Sequence, residues 1–127
     1  MTGNRLFSSA LDILGLQGDG ADAPSDTDDL RSRALTLINI VLAENSELDC
    51  RVRKCEHTVK SIEAMDDEID FSEIVSATVL PYALARLLVI GEDDALASTL
   101  TSLYGEARRT ALRFGKPKAE PIREVYK

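Results

Sequence analysis

The chain has 127 residues, 44% of them hydrophobic and 29% charged, with a formal net charge of −7 at pH 7. That length holds one domain with a modest apolar core. The acidic balance argues against a protein whose main affinity comes from coating nucleic acid phosphates.

Taken in order, Leu6, Phe7, Ala10, Leu11 and Leu14 mark one face of a short first helix. Gly15 and Gly18 end it, and QGDGADAPS (17–25) reads as an acidic loop. It lacks the lysine and the preceding strand of a phosphate-binding loop. A second helix is expected to begin near Ser25, Asp26 or Thr27, each a good cap, with Asp28 and Asp29 favourable in its first turn. Leu30, Ala34, Leu37, Ile38, Val41 and Leu42 hold one face of it, continuing more weakly through Leu48 and Val52. Leu35 and Ile40 lie off that stripe, so they either widen the core face or meet another subunit. Asn45 and Ser46 either interrupt the helix or decorate its surface.

From 57 to 71, HTVKSIEAMDDEIDF, helical periodicity fades, and spaced apolar residues around a turn at 65–67 suggest a short hairpin or an extended excursion. Its carboxylates lack the order and the turn glycine of a calcium loop. The run 74–90 is almost continuously apolar and must be buried nearly all round. Pro81 inside it predicts a kink, or a helix that starts only there. It is also the only stretch that approaches a membrane span, yet it is shorter than the ~20 residues required and contains Pro81 and Arg86. Gly91 suits a left-handed helix stop, and Asp93 or Asp94 suits the cap of the next helix. That last helix carries Leu96, Leu100, Leu103, Tyr104, Ala107, Ala111 and Phe114 on one stripe, the natural cover for the buried helix. Tyr82 and Tyr104 are expected in helices that face each other, with their hydroxyls satisfied in the core.

After Gly115 the prolines at 117 and 121 forbid a helix and favour an extended tail, on which Ile122, Val125 and Tyr126 are apolar anchors. Such a peptide adds to, or lies in a groove of, another protein. Residues 105–127 carry a local charge of +4 and everything before them −11. An acidic body with a basic end favours head-to-tail contact between copies or docking on a charged partner.

Cys50 and Cys55 stand five apart on what reads as a helix end, pointing to different faces, so no disulfide is expected and a reduced intracellular setting is read. With His57 they fall short of a zinc set, which needs a fourth group and tighter cysteine spacing. No nucleophile-base arrangement or cofactor fingerprint is present, so neither an enzyme nor a bound cofactor or metal is expected.

The order of a short helix, a Gly and Asp loop, RALTLINIVLAEN, a variable excursion and then VLPYALARLLVIGEDDALASTLTSLYGEARR resembles the small head-tail connector, or adaptor, proteins of tailed bacteriophages and prophages. The pieces that carry the resemblance are Leu80-Pro81-Tyr82-Ala83-Leu84-Ala85, the turn Gly91-Glu92-Asp93-Asp94, and Tyr104 followed by Glu106, Ala107 and Arg108. Residues 66–71 match nothing in that pattern. The resemblance implies an all-α bundle of about four helices over 1–115 with an extended docking tail over 116–127. It implies a structural adaptor in the virion neck, assembled in the bacterial cytoplasm as a homo-oligomeric ring between the portal protein and a neck or tail completion protein. Pro121, Ile122, Arg123, Val125 and Tyr126 would then dock on the portal, and Leu35, Ile40, Arg108, Arg109 and Arg113 would meet neighbouring subunits. Encapsidated DNA would pass through the channel without sequence-specific binding, along an acidic wall that repels it.

Two other readings remain open. A small DNA-binding regulator would need basic residues on the second helix of a helix-turn-helix, for which Arg108, Arg109 and Arg113 are the only group. A helical protein-interaction regulator of other origin is the third.

Overall fold

A computed structural model describes residues 1–15, 23–54 and 58–114, with the backbone alone at 23–29. The described residues form an all-α bundle of five helices: α1 (Gly3–Leu14), α2 (Ala23–Arg53), α3 (Glu73–Thr78), α4 (Leu80–Val89) and α5 (Asp94–Phe114). The expected tail, 116–127, lies outside the described residues, as do 17–22 of the acidic loop expected over 17–25; its last residues, 23–25, belong to α2, which begins at Ala23 rather than near Ser25, Asp26 or Thr27.

α4 is the centre, packed against each of α1, α2, α3 and α5. Leu80, Ala83, Leu84 and Ala85 are fully buried and Leu88 is 2% exposed, as a run with no wide polar face requires. Removing each such leucine from water contributes about 2 kcal/mol relative to leaving it exposed. Pro81 decides where the helix begins. It stands in the first turn of α4, where its missing N–H costs nothing, and the single apolar run is therefore split into α3 and α4 at Val79. Ser72 caps α3, its Oγ accepting from the Val75 N–H at 3.4 Å.

At the far end, Gly91 adopts φ +87° and Asp93 Oδ1 accepts from the Leu96 N–H at 3.1 Å, so the chain turns straight into α5. α5 covers α4 with Ala97, Leu100, Tyr104 and Ala111. Two members of its expected stripe stay outside: Leu103 is 38% and Phe114 68% exposed. Phe114 ends α5, and Leu103, between the buried Leu100 and Tyr104, lies at the edge of the stripe, so the buried stripe is narrower than the sequence suggests. α1 buries Leu6, Phe7, Ala10 and Leu11, and Gly15 closes it in a left-handed cap at φ 74°.

The segment 58–71 is irregular. No hairpin forms among the described residues; the only bridge joins Thr2 to Glu68 in antiparallel sense. This short pairing runs between the chain start and 65–69: the Asn4 N–H donates to the Met65 carbonyl at 2.9 Å, and the Ile69 N–H to the Met1 carbonyl at 2.8 Å. The approach is close, and a Cβ on Gly3 would lie 2.9 Å from Ile62 Cδ1. The turn is held by Asp67, whose Oδ2 accepts from the N–H groups of Glu63 and Ala64 at 2.9 and 3.0 Å.

Candidate functional site

The polar chemistry of the molecule collects on α2, on two of its faces. On the face toward α4 and α5, Glu44 and Asn45 meet Arg86, Tyr104 and Arg108. Asn45 is wholly buried, and its amide is fully used. Nδ2 donates to the Val41 carbonyl at 2.9 Å and to the Tyr104 hydroxyl at 3.0 Å, while Oδ1 accepts from the Arg108 guanidinium. The Tyr104 hydroxyl, having accepted from Asn45, is left to donate to Glu44 Oε1 at 3.3 Å.

Two guanidinium groups flank the same ring, with Arg86 Cζ 4.6 Å and Arg108 Cζ 5.7 Å from the Tyr104 centroid. Arg86 also donates to Glu44 at 2.8 Å from Nη2, whereas its Nε is buried without an acceptor. One carboxylate, one amide and one phenol thus cross-link α2, α4 and α5. In a region of reduced dielectric each bond strengthens the next, and the set fixes helix register more sharply than apolar contact does.

On the other face, α2 reads the backbone of the excursion. Asn39 donates to the Ile62 carbonyl at 2.9 Å and accepts the Ile62 N–H at 2.8 Å, acting as one rung of a ladder. One turn-pair further, Ser46 Oγ donates to Leu42 O at 2.7 Å and accepts from the Lys60 N–H at 3.2 Å. Asp49 is 1% exposed; its Oδ1 accepts from the Ser72 N–H at 2.8 Å, and its Oδ2 is balanced by Arg53 Nε at 3.3 Å. Asp70 then bridges Lys60 and Arg53 at 2.8 and 3.0 Å, and the hydrogen bond from Lys60, followed by that from Arg53, holds its carboxyl below the usual aspartate range.

The residues expected to make contacts with other molecules are placed as follows. Leu35 is half-buried against the core, and Ile40 is 45% exposed on α2. Arg108 is engaged inside the chain by Asn45, while Arg109 and Arg113 are exposed on α5. The docking residues Pro121, Ile122, Arg123, Val125 and Tyr126 lie outside the described residues. So do Cys55 and His57, and Cys50 is half-buried at the end of α2. Asn39, Asn45, Ser46 and Asp49 escaped the sequence reading as functional positions, although their spacing of three and seven places Asn39, Ser46 and Asp49 on one helical face.

Elsewhere, a shallow cleft lined by Thr2, Arg5, Glu68, Phe71, Glu73 and Ser76 opens beside the excursion. Among the described residues no group of three or more His, Cys, Asp or Glu side chains is placed to hold a metal, and no helix is long and apolar enough to cross a membrane. No family model, curated protein or solved structure matches this chain.

Proposed function

We propose that this chain is a non-enzymatic structural connector of a tailed phage, set as a ring of copies between the portal and the next neck or tail protein, and anchored to the portal by residues 116–127. The observation that carries this reading is the bracing of the body. A buried central helix is surrounded by every other element, and the buried polar side chains of α2 are engaged in tying α4, α5 and the excursion together. Such a body resists shear between its helices, as a mechanical link needs, and it leaves recognition to its charged ends and to the tail. The tail supports the same reading through its two prolines, its apolar anchors and its positive charge.

The test is capture by a phage portal protein of the full-length chain and of a version ending at Gly115. The full chain is expected to bind and the shortened one to lose most of its binding. Equal binding by both removes the tail from the mechanism, and no binding by either removes the portal as partner.

A further inference from the structure

Two of the most exposed large apolar side chains stand at opposite ends of one helix. Ile90, 62% exposed, precedes α5 at the α4–α5 turn, and Phe114, 68% exposed, closes α5. The 21 residues of α5 separate the two ends by about 30 Å. Each apolar residue sits among charges of one sign: Glu92, Asp93 and Asp94 follow Ile90, whereas Arg109 and Arg113 precede Phe114. Among the described residues Glu92, Asp94, Arg109 and Arg113 form no ion pair. Acid at a helix start and base at its end also suit the helix dipole. The dipole explains the charges but not why an isoleucine and a phenylalanine stay in water beside them.

We infer that these two surfaces are the halves of one contact between copies: the Phe114 end of α5 in one copy seats on the Ile90 turn of the next. The occupant is a second copy of this chain because each end is complementary, in charge and in apolar content, to the other and not to itself. Like ends brought together would set arginine against arginine, so the contact is head-to-tail. A contact of that kind repeats, closing into a ring if the rotation allows and otherwise growing as a filament. The inference deepens the connector reading, on which it rests for the presence of many copies side by side.

Sedimentation velocity of the full chain at millimolar concentration tests it. Self-association is expected at low ionic strength and is expected to weaken as salt rises. Arg109→Glu with Arg113→Glu, and separately Glu92→Lys with Asp94→Lys, should each abolish it with helical content unchanged, since all four side chains are exposed. Mixing the two double variants should restore it, because every contact then again joins opposite charges. A photo-crosslinking residue in place of Phe114 should label 90–95 of a second copy.

A wild-type chain that stays monomeric at low salt, variants that associate as well as it does, a mixture that stays dissociated, or labelling between two copies of position 114 would each overturn the inference. Portal capture without self-association would leave the connector and remove this contact. Self-association without portal capture would do the reverse.

Discussion

α4 and the segment 58–71 both lie against α2, and they are held there by opposite means. α4 is held by area: Leu80, Ala83, Leu84 and Leu88 are 0–2% exposed, and the attraction depends little on which atoms touch. The excursion buries only Ile62, Ile69 and Phe71 and is held by Asn39, Ser46 and Asp49, each bonded to a named backbone group. An apolar seat supplies most of the free energy and by itself tolerates sliding, so on the α4 side register is left to the Arg86–Glu44 bond. Side-chain bonds to backbone supply less and fix the register, because a shift of one residue leaves both partners unsatisfied. The same helix therefore seats α4 chiefly by area, with the Arg86–Glu44 bond adding register there and the Asn45–Tyr104 bond adding it toward α5, and seats the excursion chiefly by position.

The sharpest way to break this contrast is at the apolar seat. Leu84→Ala is expected to cost about 2–5 kcal/mol, read as a fall in the urea midpoint of the whole molecule, because it leaves a cavity at the centre of the bundle. Asn39→Ala is expected to cost less, about 1–2 kcal/mol, by stranding the N–H and carbonyl of Ile62. Its signature is local: hydrogen exchange at the Ile62 amide should accelerate while exchange at Leu84 keeps its protection. Equal acceleration at both sites would mean that the two regions open as one unit.

The smallest effect belongs to Asp70. Its carboxyl is held low by Lys60 and then by Arg53, so the folded form binds its proton less readily than the unfolded chain. Its contribution is present above the unfolded aspartate range, about pH 4, and disappears as the pH falls through the folded value. Because the side chain is largely exposed, Asp70→Asn should cost only a few tenths of a kcal/mol at neutral pH, about the worth of a surface ion pair. Urea midpoints of wild type and variant should converge as the pH falls through the folded value of Asp70.

Legibility in the sequence follows the same division. Of the stripe Leu30, Ala34, Leu37, Ile38, Val41 and Leu42, all but the half-buried Leu37 are buried as the spacing predicts, Pro81 lies in the first turn of α4, and Gly91 with Asp93 makes the turn into α5. Those features are local: a period, a missing donor, a permissive backbone and a capping carboxylate. The buried polar residues are not. Asn45 and Ser46 read as a break or as surface because asparagine and serine disfavour helix interiors. What buries them is a tyrosine 59 positions away and a lysine amide 14 positions away. Leu103 and Phe114 fail in the other direction, since periodicity marks an apolar face but not how much of its width and length the neighbouring helices cover.

The pairing of residues 1–4 with 65–69 carries a consequence for synthesis. α1 is translated some sixty residues before the strand-like stretch that pins its first turn, and its apolar face has to wait for α4 as well. Leu6, Phe7 and Leu11 therefore stay uncovered on the ribosome until the excursion and α4 have been made, so α1 precedes α2 in synthesis yet is among the last helices to find its place.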